Sequence, residues 1–203
     1  MSEGRAHVLP AGEGYLEVTA DVAAKGRAEI IETRSVGQDG RSSFVSTVQR
    51  NLGRTGQTVF YRFVCSLLTA LGLPARLSNT GDTSQRMDAV CTHPANSVPV
   101  EIKSPTEVAA ADLKSVRQAL ENHVIMRGRR TDPTSADTAT FAIGHEPLAE
   151  RSDARELADD IEETYGVKVR VFSTWWLLQQ LVERAVGGRM LDGDAMRVGN
   201  IRE

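Results

Sequence analysis

Residues 86–105, RMDAVCTHPANSVPVEIKSP, contain two apolar runs, MDAVCT at 87–92 and SVPVEIKS at 97–104, separated by HPAN at 93–96. Pro94 and Asn96 favour a turn, so the two runs predict a β-hairpin. Residues i and i+2 of a strand point the same way, which puts Glu101 and Lys103 on one face and Val100 and Ile102 on the opposite, packed face. Folding the chain about residues 94–96 sets Asp88 opposite Glu101 to within about one residue. A carboxylate and an ammonium on a strand that otherwise reads as buried each cost several kcal/mol unless paired or used, on the order given by desolvation.

Working outward, residues 55–71 repeat apolar side chains at three- and four-residue intervals (Val59, Phe60, Phe63, Val64, Leu67, Leu68, Leu71) before Gly72 and Pro74, and predict a buried helix with a C-terminal stop. ARLS at 75–78 reads as a short strand and NTGDTS at 79–84 as a loop. A helix is expected over 112–126, with Leu113, Val116, Leu120 and Val124 as its apolar stripe. RGRRTDPTSADT at 127–138 reads as a turn-rich connection. A strand (ATFAIGH, 139–145), an acidic helix (153–165), a strand (VKVRVFS, 167–173) and a helix over 174–186 follow. Trp175 and Trp176 sit in the apolar run WWLLQQLV and read as packing residues. Upstream, residues 14–34 carry a weak strand or short-helix signal, and SVGQDGRSS at 35–43 reads as a loop. This order predicts an α/β fold with a central mixed sheet. One domain is expected, with residues 1–54 as an N-terminal extension that would face a nucleic-acid partner, 55–186 as the core and 187–203 as a tail without persistent periodicity.

The chain has 203 residues, 40% hydrophobic and 25% charged, with a net charge of -3, which is ordinary for a folded protein. Cys65 and Cys91 lie in apolar runs without a CxxC partner and read as reduced, buried thiols. The first residues lack an apolar leader core, and the longest uncharged run, 63–75, is too short to span a bilayer. A cytoplasmic protein with no membrane partner is therefore expected. The net charge hides segregation. Residues 41–81 carry five arginines (Arg41, Arg50, Arg54, Arg62, Arg76) and no carboxylate, whereas residues 146–165 set eight carboxylates against Arg151 and Arg155. The acidic stretch reads as a solvated helix face. His7, His93, His123 and His145 lack zinc-ligand spacing, and no GxSxG or GxxxxGK[ST] element is present.

Two carboxylates a few ångströms apart repel each other, and the usual remedies are a shared proton or a hard divalent cation with oxygen ligands. Asp88, Glu101 and the Ile102 carbonyl supply such ligands. Lys103 would orient an attacking water or neutralise charge that develops on an attacked phosphate. Only four of the 24 basic residues are lysine (Lys25, Lys103, Lys114, Lys168), so a chain that favours arginine keeps a compact ammonium at this position. Phosphodiester hydrolysis fits the set.

MD at 87–88, a gap of twelve residues and EIK at 101–103 resemble the PD-(D/E)xK nuclease superfamily, and SPTEVAAADLKSVRQALENHVI resembles the helix that follows the motif in restriction-endonuclease-like folds. The likeness spans residues 55–175 in element order and implies a restriction-endonuclease-like sheet flanked by helices. It implies Mg2+, with Mn2+ as a substitute, bound by Asp88 and Glu101, and Lys103 assisting the attacking water. The implied activity is DNA endonuclease in restriction or defence, and cutting both strands with one site per chain implies a homodimer on double-stranded DNA. Met87 stands in place of the motif's proline. The helix over 55–71 has no acidic residue, and Gln57 is its nearest polar substitute. Gln118 matches a glutamine that some relatives carry on the later helix, near Asn122.

Arg50 and Arg54, beside the glycine-rich NLGRTG, and Arg117 and Gln118, on the helix after the motif, are the candidate substrate contacts. Each also reads as an ordinary surface residue, and Arg127, Arg129 and Arg130 suit a helix C-terminus without any ligand. Two alternatives stand beside restriction: a structure-selective repair, recombination or mobile-element nuclease, and a non-catalytic DNA-binding or assembly subunit.

Overall fold

The structure, a computed structural model, describes residues 38–78, 87–129, 131–185 and 192–203. The weak element at 14–34, the loop at 79–84 and Arg130 lie outside these residues. Helices α1 (Gln38–Leu52) and α2 (Gln57–Ala70) precede strands β1 (Ala75–Leu77), β2 (Ala89–Cys91) and β3 (Val98–Ile102). Helix α3 (Leu113–Arg127), strand β4 (Thr140–Gly144), helix α4 (Asp153–Tyr165), strand β5 (Val169–Ser173) and helices α5 (Thr174–Ala185) and α6 (Gly193–Arg197) complete the order.

The five strands form one sheet in the order β1-β2-β3-β4-β5. The first three are antiparallel, and β3, β4 and β5 are parallel, so the sheet is mixed as expected. The hairpin forms because the HPAN turn closes on itself. Pro94 limits the backbone, the His93 ring accepts from the Ala95 and Asn96 N–H groups at 3.3 and 3.0 Å, and the Ser97 hydroxyl donates to the His93 carbonyl at 2.9 Å.

Strand alternation then divides the core. Val98, Val100 and Ile102 of β3 join Phe141, Ile143 and Phe172 beneath α1, α2 and α5. On the opposite face, Ala142 and Val169 pack against Val116 and Ala119 of α3 and Ala154, Ala158 and Ile161 of α4. Trp175 and Trp176 pack against the first core, with Trp176 stacked on Phe172 at 5.0 Å. Cys65 and Cys91 are free and buried. Among the described residues no helix is long and apolar enough to cross a membrane.

Three expectations need correction. First, α1 begins at Gln38, inside the stretch that reads as a loop, and buries Phe44, Val45, Val48 and Leu52 in the main core. That spacing is an apolar stripe, masked by the polar residues between. Second, the tail is packed within its described residues: Met196 is buried, Lys168 Nζ donates to the Val198 carbonyl at 2.8 Å, and Arg170 Nε donates to the Gly199 carbonyl at 2.7 Å. The folded unit thus extends beyond 55–186 on both sides. Third, Val124 of the expected α3 stripe is 61% exposed, whereas Asn122 and His123 are buried. The helix is rotated so that Asn122 reaches the sheet. His123 is held neutral, with burial and then the Arg127 charge lowering its pKa to about 4.

Because β3, β4 and β5 are parallel, their C-termini share one edge. A buried polar knot fastens α1 there. The Gln49 amide contacts His145 Nδ1 at 3.1 Å, and the Thr174 hydroxyl has Gln49 Oε1 and the His145 carbonyl, each at 3.0 Å, as acceptors for its one proton. Between the ends of β3 and β4 the chain passes so close to Gly144 that a Cβ there would lie 2.4 Å from the Ala111 nitrogen. Gly144→Ala is therefore expected to destabilise the fold by about 1–3 kcal/mol or more, because backbone rather than a flexible side chain must move. Thermal unfolding beside the wild type checks this, and an unchanged midpoint would contradict the close approach.

Candidate active site at the end of strand β3

The β2–β3 register pairs Ala89 with Val100, and one further step sets Asp88 opposite Glu101. The pairing expected from the hairpin is thus present, and both carboxylates belong to the α3 side of the sheet. Asp88 does more than face its neighbour: its Oδ2 accepts the Ile102 N–H at 2.8 Å, taking a backbone donor at the end of the ladder. Glu101 is 2% exposed. Its Oε1 accepts from Lys103 Nζ at 2.9 Å and its Oε2 from Asn122 Nδ2 at 3.2 Å. The capping box of Asp112 and Ser115, which starts α3, helps fix the helix that delivers Asn122.

Tyr61, Glu107 and Asn122, none of them assigned a role from the sequence, complete the site together with Gln57. Tyr61 of α2 donates from its phenol to the Ile102 carbonyl at 2.7 Å and lies 3.1 Å from Glu107 Oε2. Gln57, one turn earlier, donates to the phenol oxygen at 3.1 Å. Glu107 Oε2 also accepts from the Ser104 N–H at 3.0 Å and the Ser104 hydroxyl at 2.8 Å. The sequence carried a signal for this last contact, since Ser104-x-x-Glu107 has capping-box spacing. Asn122 and Tyr61 carried none, because their roles depend on how α3 and α2 cross the sheet.

The electrostatics follow from the geometry. Burial, followed by the Glu101 charge, pushes Asp88 up to about 7, against the pull of the Ile102 N–H and Lys103. Burial also raises Glu101, opposed by the hydrogen bond and charge of Lys103 and by the Asn122 amide. Burial alone would lower Lys103, but its bond to Glu101 and the charges of Glu101, Asp88 and Glu107 raise it. Glu107, despite partial burial, is lowered by the two Ser104 donors, Tyr61 and Lys103. One ammonium therefore faces three carboxylates, and the surplus negative charge is met by a proton or by a cation.

The donor set is hard oxygen, which suits Mg2+ rather than a soft metal. Among the described residues no three His, Cys, Asp or Glu side chains are arranged to hold a metal ion. A cation would therefore depend on Asp88, Glu101, the remaining lone pair of the Ile102 carbonyl and water.

The four candidate substrate residues sit on α1, the α1–α2 turn and α3. Arg117 is exposed on α3, and Gln118 sits one turn before Asn122 with its Oε1 buried and unpartnered. Arg50 and Arg54 are exposed on either side of Gly53, where a Cβ would approach His145 Nε2 to 3.1 Å. That contact sets the α1–α2 turn at the edge where β3 ends. Among the described residues no hydrogen bond or ion pair joins any of the four to Asp88, Glu101 or Lys103. Arg76 pairs instead with Asp132.

No family model, curated protein or solved structure matches the chain.

Proposed function

We propose that the chain is a Mg2+-dependent DNA endonuclease with a restriction-endonuclease-like core, acting as a homodimer in restriction or defence. The observation that carries this reading is the cross-strand placement of Asp88 and Glu101 with Lys103 bonded to Glu101. The order of a helix, three antiparallel strands, a helix and a parallel strand supports it, as does the resemblance of the residues themselves. Arg50 and Arg54, unpaired among the described residues and at the same edge, suit the phosphates of a bound duplex.

In this reading Asp88, Glu101 and the Ile102 carbonyl hold the cation, which when bound supplies Lewis acidity to the attacked phosphate. Asn122 and Lys103 keep the Glu101 carboxylate turned toward the site. Lys103 uses one ammonium N–H on Glu101 and has others for the attacking water or a non-bridging phosphate oxygen.

One observation favours a second reading. Both oxygens of Glu101 are engaged by protein donors, which suits a self-satisfied buried pair in a non-catalytic DNA-binding or assembly subunit. Incubating the purified chain with phage-sized DNA and Mg2+ separates the readings. Discrete bands are expected for a site-specific endonuclease. Cleavage confined to branched or single-stranded DNA would move the assignment to a structure-selective nuclease, and intact DNA with folded protein would leave the non-catalytic reading.

A further inference from the structure

Two heavily tied polar groups lie beside the Asp88, Glu101 and Lys103 cluster, the Tyr61 phenol and the Glu107 carboxylate. The phenol has one proton and two acceptors in reach, the Ile102 carbonyl at 2.7 Å and Glu107 Oε2 at 3.1 Å. The Gln57 amide donates into the phenol oxygen, which directs the phenol proton toward those two acceptors. Glu107 Oε2 already takes two hydrogen bonds from Ser104, so the carbonyl is the better partner.

Glu107 in turn pins the residue after Lys103. The Lys103 N–H is held by the Ile143 carbonyl at 2.8 Å and the Ser104 N–H by Glu107 at 3.0 Å, so the backbone is fixed on both sides of the ammonium-bearing residue. We propose that Tyr61 and Glu107 are a pair of positioning residues that hold the Ile102 carbonyl and the turn after Lys103 in the arrangement a divalent cation needs. The inference rests on the cation reading above. A carbonyl that gave electron density to a cation would be a weaker acceptor, and the phenol would then have Glu107 Oε2 as its other partner in reach. The two side chains therefore act through one proton and not independently.

The test uses the full chain, with Mn2+ binding followed by calorimetry and Mg2+-dependent cleavage followed in parallel. Tyr61→Phe keeps the ring and removes the phenol, and Glu107→Gln keeps an acceptor oxygen and removes the charge. Each is expected to weaken Mn2+ binding by about 10- to 100-fold, the usual cost of losing a partner that orients a metal ligand. The rate loss should be larger at low than at high Mg2+ and be reversed by excess Mg2+. A merely structural role would lower the melting temperature without rescue by cation. The double variant is expected to lose less than the product of the single losses, because the pair shares one network. Unchanged affinity in both single variants, or strict independence in the double, overturns the proposal while leaving the cation reading standing. A wild type that binds no Mn2+ overturns both.

Discussion

Glu101→Gln, Asp88→Asn and Lys103→Met are each expected to reduce Mg2+-dependent cleavage by about 10²- to 10⁴-fold, the range for removing a positioned proton-transfer or charge-stabilising group. The three differ in what they do to the fold. Glu101→Gln leaves the Lys103 ammonium, with its side chain 12% exposed, beside an uncharged amide. Breaking a buried pair from one side costs about 3–5 kcal/mol where the remaining charge is left alone, and the cost here is smaller because the Asp88 and Glu107 charges still face the ammonium. Lys103→Met is milder, because burial already favours the protonated form of Glu101, which then sheds its charge. Initial rates of supercoiled plasmid nicking, read beside thermal melts, separate lost chemistry from lost fold. A folded variant within tenfold of the wild-type rate would remove that residue from the mechanism.

The hairpin was legible because its information is local. Alternating Val98, Val100 and Ile102 fix the buried face, Pro94 and Asn96 fix the turn, and the register then leaves Asp88 and Glu101 no choice but to face each other. Helices α2, α3 and α5 were legible from their apolar repeats and α4 from its acidic run, and in the structure Asp112 and Ser152 cap α3 and α4 while Gly166 ends α4 in the left-handed region at φ 68°. What escaped depends on tertiary contact. Helix α1 starts in a glycine- and serine-rich stretch that reads as a loop, although its four buried residues Phe44, Val45, Val48 and Leu52 join the main core. The rotation of α3 that exposes Val124 and buries Asn122 follows the stripe Val116, Ala119 and Met126, which is weaker in the sequence than the one through Leu113, Leu120 and Val124, whereas the Asn122 contact with Glu101 depends on the sheet. The Tyr61 contact joins residues 41 positions apart through two different elements.

The second large effect is on stability. Asp88 has an ordinary pKa of 3.8 and is pushed up to about 7 in the fold. Between those values the native state holds more protons than the unfolded chain, so its stability falls as pH rises through the window, and Glu101 acts in the same direction. The loss between pH 4 and pH 8 is expected to be on the order of a few kcal/mol in the absence of divalent cations. A cation that binds only the native state restores stability at pH 8, by about 2.7 kcal/mol at a hundred times its Kd. Asp88→Asn is expected to flatten the pH dependence and abolish the gain from Mg2+. Urea unfolding at pH 5 and pH 8, with and without Mg2+, measures both. A wild type whose stability rises from pH 5 to pH 8 without cation would show that the carboxylates are not short of positive charge.

Whether the surplus of carboxylates is answered by a metal can be read in one diffraction measurement. Crystals grown with Mn2+ at pH 8 give an anomalous difference map in which the ion appears as a single feature. The expected position is between the Asp88 and Glu101 carboxylates and the Ile102 carbonyl, with Lys103 still in contact with Glu101. A map with no peak there, and with Glu101 still held only by Lys103 and Asn122, would contradict the metal-centred reading and leave the cluster as a buried structural pair.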